Sequence, residues 1–253
     1  MLIALAGALV VGLSLGLLGS GGSILTVPVL HYLLGQGEQQ AIGGSLLVVG
    51  LIASAAAVPH ALARQVHWRN VIWFGLPGMA GAWFGASLSP CVPGVLQLAG
   101  FVVAMLVAAW KMLTARPVAA RPGAPAARRS AVIAGGFGVG ALSGLVGVGG
   151  GFLIVPALVL LAGVPLLQAV GTSLAVIAIN ALTGFARYVA VLGAQGVGLD
   201  WATLMFVAGV GVVGSQFGHR IGRRLPQPLV RRIFGGTLVV IAAAMTADLA
   251  GRL

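Results

Sequence analysis

A thirteen-residue stretch, Gly16-Leu17-Leu18-Gly19-Ser20-Gly21-Gly22-Ser23-Ile24-Leu25-Thr26-Val27-Pro28, returns 128 residues later as Gly144-Leu145-Val146-Gly147-Val148-Gly149-Gly150-Gly151-Phe152-Leu153-Ile154-Val155-Pro156. Between residues 16–30 and 144–158, nine of fifteen positions are identical. The same offset aligns Gln40-Ala41-Ile42-Gly43-Gly44-Ser45-Leu46 with Gln168-Ala169-Val170-Gly171-Thr172-Ser173-Leu174, with five of seven identical. A five-residue insertion then aligns Trp68 with Trp201, Gly78 with Gly211, Gly81 with Gly214, and Phe84-Gly85 with Phe217-Gly218. A chain with this register must fold as two related halves. We divide it into a first repeat at residues 1–114, a linker at 115–129 rich in Pro, Ala and Arg, and a second repeat at 130–253.

The halves are built for lipid. Of the 253 residues, 59% are hydrophobic and 7% charged, against about 25% charged in a soluble domain. Apolar runs fall at about 2–18, 23–34, 41–60, 70–89 and 94–113, and again at about 130–146, 151–163, 168–192, 201–219 and 229–250. Runs of this length and purity are transmembrane helices, so the fold class is an all-α, multi-pass membrane protein. The first run lacks a basic flank and recurs in the second half, which argues against a cleaved signal peptide. The net charge of +11 fits basic cytoplasmic loops, and no nucleic-acid module is present.

The second run of each half holds about 12 residues, roughly 18 Å of helix, too short for a ~30 Å hydrocarbon core. Two topologies follow. If residues 2–34 make one broken span, each half has four spans and the halves run parallel. If they make a re-entrant hairpin, each half has that hairpin plus three transmembrane helices, and the halves are inverted repeats. The parallel arrangement divides the 14 basic residues nine to five. The inverted arrangement divides them twelve to two, leaving only Arg187 and Arg252 opposite the rest, together with the three acids Glu38, Asp200 and Asp248. The positive-inside rule favours inverted repeats, with both termini outside and the linker cytoplasmic.

Glycine clusters are poor helix formers and allow sharp reversals. In a membrane, broken backbone survives only inside protein or along a wet cavity. The helix starting after each break exposes N–H groups and a partial positive charge near the midplane, an arrangement that holds anions in transporters with inverted repeats. Two such ends are expected to converge on one small-anion site. Other glycines, Gly7, Gly12 and Gly16 and then Gly136, Gly140 and Gly144, fit small-residue packing faces instead. In the second matched block, Ser45, Thr172 and Ser173 either donate to an anion or bond back to their own helix. Gln40 and Gln168 either donate to the ligand or cap helices.

Arg187, inside an apolar run, either fixes a substrate charge or snorkels to the outer interface, with the balance toward snorkelling. Asn180 and Thr183 extend a polar stripe from it or glue helices together. His31 is a candidate for a coupling proton, although an interfacial role is the simpler reading. His60, His67 and His219 lie near loops and read as interface polarity. Trp83 and Phe84 read as packing. No metal-ligand spacing occurs, and with three acids there is no carboxylate pair for acid–base chemistry. No enzyme, cofactor or metal is therefore expected, and the missing lysine excludes a nucleotide-binding loop.

The paired glycine clusters with their prolines, the paired Ala-x-Gly-x-Ser-Leu blocks and the basic linker together resemble the TauE/SafE family of sulfite and organosulfonate permeases. The resemblance spans nearly the whole chain. It implies transport of a small sulfur oxyanion or sulfonate across the bacterial inner membrane, often as export. It also implies a pathway lined by Gly19, Ser20, Gly21, Gly22 and Ser23, by Gly147, Val148, Gly149, Gly150 and Gly151, and by Ser45, Thr172 and Ser173. Asn180 and Arg187 join this set as candidate substrate contacts. The expected mechanism is alternating access, with an anion channel on the same hairpins as the alternative. The expected partners are a small anionic substrate and membrane lipid, with no nucleic acid and with a homo-oligomer left open.

Overall fold

The computed structural model describes residues 2–19, 22–88, 129–146, 151–194 and 198–226, with individual residues inside 102–114 and 228–246. Among the described residues, all regular structure is helical. The long elements are α1 (Leu2–Leu18), α2 (Gly22–Pro28), α3 (Glu38–Leu62), α4 (Trp68–Leu88), α5 (Arg129–Val146), α6 (Gly151–Leu161), α7 (Leu166–Ala194) and α8 (Trp201–Arg224). A π-helical turn, Val29–Leu33, continues α2. Repeat arithmetic makes α5, α6, α7 and α8 the counterparts of α1, α2, α3 and α4. The expected runs at 94–113 and 229–250 and the linker lie largely outside the described residues.

Helix is the form these apolar runs must take in lipid, because it satisfies every backbone amide within the segment. Among the described residues, three helices carry stretches long and apolar enough to cross a membrane: Gly43–Leu62, Leu166–Ala186 and Trp201–Gly222. The apolar parts of α1 and α5, Leu5–Leu18 and Arg129–Leu142, are shorter. Large apolar side chains also cover the outside, including Ile72, Leu76, Val213 and Phe217, which suits a lipid-facing surface. Trp83 and Phe84 belong to that surface too rather than to the interior packing read from sequence, and the Phe84 ring touches Phe137 at 6.1 Å between centroids.

The helices interlock across the halves. α1 packs against α8, and a Cβ placed on Gly12 would run into the carbonyl oxygen of Gly211. α4 packs against α5, and a Cβ on Gly140 would run into the carbonyl oxygen of Gly78. Gly140 is the counterpart of Gly12, and Gly78 of Gly211, so this is one contact made twice. Glycine is required there because backbone meets backbone with no room for a side chain. One turn further on, a Cβ on Gly16 would meet Ser215 in the same way. The glycine faces assigned to packing from the sequence are used so at Gly12, Gly16, Gly136 and Gly140.

These contacts also give directions. Gly12 opposes Gly211 and Gly16 opposes Ser215, so α1 and α8 run parallel. Phe74 opposes Gly136 and Gly78 opposes Gly140, so α4 and α5 run parallel. Gln40, at the start of α3, donates through Nε2 to the Gly198 carbonyl beyond the end of α7, at 2.7 Å. His67, beyond the end of α3, meets Gln168 Oε1 near the start of α7 through Nε2 at 2.7 Å. α3 and α7 therefore lie side by side in opposite directions. Leu15, Leu30, Ile52, Leu158, Leu174 and Ile177 fill the space between the elements.

Candidate functional site

The two glycine clusters follow α1 and α5 in the chain. At the first, α1 stops at Leu18 and Gly19 takes a left-handed φ of +73°, a conformation natural to glycine. The Gly19 N–H still donates to the Leu15 carbonyl at 2.8 Å, closing the helix. Its carbonyl then accepts the Ser173 hydroxyl at 2.9 Å. Ser20 and Gly21 lie outside the described residues, and α2 begins at Gly22. At the second break Gly147, Val148, Gly149 and Gly150 lie outside the described residues, and α6 begins at Gly151.

The short helices have the length expected from sequence. α2 contributes seven residues and its π turn five, while α6 has eleven. Pro28 has no N–H to give to the carbonyl one turn back, and the helix widens into the π turn directly after it. Both short helices end alike. Gly35 and Gly163, counterparts in the repeat, have φ of +66° and +63°. Gln36 N–H reaches back to Leu30, and its counterpart Val164 reaches back to Leu158. Each helix thus ends on a left-handed glycine whose following residue closes back onto a carbonyl six residues earlier, one residue wider than the Schellman closure.

The first turns of α2 and α6 meet. A Cβ built on Gly151 would lie 3.0 Å from Ser23 Oγ and 2.8 Å from Ile177. Ser23 and Gly151 are counterparts in the sequence repeat, so equivalent positions of the two short helices meet here. Ser23 is 3% exposed, and only the first half brings a hydroxyl to this meeting point. The two helix starts thus approach one another inside the protein, and the first N–H groups of a helix have no partner within the helix itself.

The block Val170-Gly171-Thr172-Ser173 on α7 braces this arrangement. A Cβ on Gly19 would stand 2.7 Å from the Val170 side chain. Besides Gly19, the Ser173 hydroxyl reaches its own Val170 carbonyl at 2.8 Å. Thr172 donates to the Gln168 carbonyl at 2.7 Å and accepts the His67 N–H at 3.0 Å. Both hydroxyls are fully buried and engaged with backbone in this conformation. Ser45, the counterpart of Ser173, is likewise buried on α3. Gln40 serves as a helix cap, accepting the Gly37 N–H at 3.3 Å, while Gln168 pairs with His67.

The remaining candidates stand apart. Asn180 lies beside Gly78, with a buried Oδ1 that finds no hydrogen-bond partner among the described residues. Its counterpart Ile52 packs on Gly211, the counterpart of Gly78, so a polar group occupies what is an apolar contact in the other half. Arg187 belongs to α7, and its side chain lies outside the described residues. His31 Nδ1–H donates to the Gln36 carbonyl at 2.8 Å, tying down the end of the short helix.

Sequence reasoning treated His60 and His219 as interface polarity. The structure instead buries them against each other at 1% and 6% exposure, with His219 Nδ1 and His60 Nε2 3.0 Å apart. One comes from each half. Their repeat counterparts are not histidines, so the pairing left no mark in the repeat.

The sequence model of the family described as Sulfite exporter TauE/SafE matches residues 4–245. A "Probable membrane transporter protein" of Xylella fastidiosa is 35% identical over 246 residues, 93% of this chain and 90% of that protein. "Probable membrane transporter protein YunE" of Bacillus subtilis is 26% identical over 261 residues, 94% of each. A further "Probable membrane transporter protein", from Methanocaldococcus jannaschii, is 26% identical over 190 residues, 71% of this chain and 70% of that one. No solved structure matches the chain.

Proposed function

The chain belongs to the sulfite exporter TauE/SafE family, and from that premise we propose that it is a secondary transporter moving a small sulfur-containing anion across the bacterial inner membrane, outward, by alternating access. The observation that carries this reading is the meeting of the α2 and α6 starts at Ser23 and Gly151. A sulfur oxyanion entering the membrane must exchange its hydration shell for other donors, at a large desolvation cost. One helix start offers an anion about 0.3–1 kcal/mol when exposed and up to ~2 kcal/mol when partly buried. Two starts, with the Ser23 hydroxyl between them, supply several donors at one point.

The halves are read as inverted repeats, each a re-entrant hairpin plus three spans, with the linker and the basic residues cytoplasmic. Helix direction supports this, because α3 and its counterpart α7 run oppositely. The candidate lining is Gly19–Ser23 and Gly147–Gly151, with Ser45, Thr172 and Ser173 behind them and with Asn180 and Arg187 along α7. Ser173 is engaged with Gly19 here. Release of that bond as the halves rock would free the Gly19 carbonyl, while the Ser173 hydroxyl keeps its bond to the Val170 carbonyl.

The test is thermal stabilisation of the purified protein by sulfite, sulfate, thiosulfate and small sulfonates, with chloride as control, followed by proteoliposome uptake of the anion that protects. Selective protection and saturable counterflow are expected. Equal response to chloride, or an ohmic single-channel current, would overturn the carrier reading. Gly21→Leu and Gly149→Leu should each abolish uptake while leaving membrane insertion intact.

A further inference from the structure

The His60–His219 pair has a built environment. His60 sits in the last turn of α3, and the chain leaves it through Arg64, which holds a left-handed φ of 54°, a position usually given to glycine or asparagine. That turn folds the next residue back. The Gln65 N–H donates to the His60 carbonyl at 2.9 Å, and the Gln65 side-chain carbonyl meets His60 Nδ1, also at 2.9 Å. A carbonyl accepts only, so His60 Nδ1 carries the proton there. His60 Nε2 then accepts from His219 Nδ1–H across the 3.0 Å contact. The rings cross at 75° with centroids 4.4 Å apart.

This chain fixes a proton count. A neutral pair carries one N–H per ring, and a charged pair carries one more. Two charged rings would set N–H against N–H over 3.0 Å and press two positive charges together. With its bond intact the pair takes up one proton and refuses a second. If α3 and α8 part, each ring titrates alone.

The pair borders a cavity of about 30 Å³, room for a water molecule. Gly16 and Leu17 of α1, Leu166 and Val170 of α7, and Gly222 of α8 also line it, and the two histidines are the only titratable groups among the described residues of its lining. Of the basic residues near in sequence, Arg64, Arg220 and Arg224 are exposed, and the side chain of Arg223 lies outside the described residues. The wall residue Val170 and its neighbour Gly171 lead to the Gly19 turn. Val170 touches Gly19, and a Cβ on the adjacent Gly171 would lie 2.9 Å from His60 Cβ. A movement at the break therefore reaches the histidines through one turn of α7.

We propose that His60 and His219 form a proton-binding site between the halves, and that its proton is the ion coupled to anion movement. This rests on the transporter reading above. Parting of α3 from α8 raises the proton capacity of the pair and closure lowers it, so by linkage protons and the conformational cycle bias each other. The proton taken up comes from solvent and returns to solvent, and no covalent bond changes.

The test uses the full chain in proteoliposomes with ³⁵S-labelled sulfite, sulfate and thiosulfate. Wild-type protein should exchange one of these at equal pH on both sides; failure with all three would sink the transporter reading itself. His60→Gln and His219→Gln should keep that exchange and lose at least tenfold in accumulation driven by a pH gradient. Full gradient-driven accumulation in both variants would overturn the proton assignment. A second measurement needs no transport. In ¹⁵N-imidazole spectra of the wild-type protein, the two rings should respond together as pH is lowered, with uptake of one proton. Independent titration of the rings, or no response from either, would also overturn it.

Discussion

Replacing Gly140 by alanine sets helix propensity against packing. Propensity favours the change by up to about 1 kcal/mol in a helix interior. Packing opposes it, because the new Cβ would strike the carbonyl oxygen, carbonyl carbon and Cα of Gly78. Every atom in the way is backbone, so no side chain can swing aside. α4 and α5 would have to part by roughly 1 Å to restore ordinary separations, and overpacking of this kind costs about 1–3 kcal/mol. Gly12→Ala should behave alike, since it meets Gly211 in the equivalent way. Gly138 on α5 and Gly209 on α8 are the controls, because an added Cβ there meets nothing within 4 Å. The assay is thermal unfolding of detergent-purified protein by tryptophan fluorescence. For a chain of this size 1 kcal/mol moves Tm by about 2–4 °C, so with the propensity gain set against the packing cost Gly140→Ala and Gly12→Ala should each lower it by up to about 8 °C. Gly138→Ala and Gly209→Ala should leave Tm unchanged or raise it. Equal midpoints for all four would refute the claim that close backbone approach, rather than glycine content, holds the halves together.

Three further outcomes are expected. Ser173→Ala leaves the Gly19 carbonyl without its buried donor, which should cost about 1–3 kcal/mol in unfolding experiments and reduce uptake; an unchanged midpoint would show that the bond contributes nothing. Asn180→Leu removes a buried acceptor that has no partner among the described residues, so Tm should rise, and a fall would mean that the amide is satisfied in the membrane. At the start of α8, the Thr203 hydroxyl and then the Thr203 N–H hold the Asp200 carboxyl below its ordinary value of 3.8. Its stabilisation is therefore complete above 3.8 and is lost as pH falls through the lowered value. Asp200→Ala should unfold earlier at neutral pH, with the gap to wild type narrowing in acid; a gap constant with pH would count against the cap.

The repeat made much of the fold legible. An offset of 128 residues paired Gly12 with Gly140 and Gly35 with Gly163, and the structure gives each pair the same job. Sequence also supplied the short length of α2 and α6, because an apolar run of that size bounded by glycines has few other forms. What it could not supply is which helix meets which. Gly12 reads as a packing residue and Gly211 only as the repeat partner of Gly78 until the structure sets them face to face. The histidine pair was hidden for a related reason. His60 and His219 lie far apart in sequence, neither recurs in the other half, and each sits within a few residues of a loop, where polarity is ordinary. Only a three-dimensional contact distinguishes a buried pair from two interfacial rings. Likewise, Ser173 offered its hydroxyl equally to a ligand or to backbone on sequence grounds, and the carbonyl exposed by the left-handed turn at Gly19 decides the matter in this conformation.

The crossed pairing of α1 with α8, and of α5 with α4, has a consequence for synthesis. A ribosome delivers α1 long before α8, so the groove-fitting face at Gly12 and Gly16 waits unpartnered while the helices between them are still being made. The stretch containing α1 cannot mature as an autonomous unit. Cutting the gene at the linker should therefore give two fragments that are each degraded when made alone and rescued when made together.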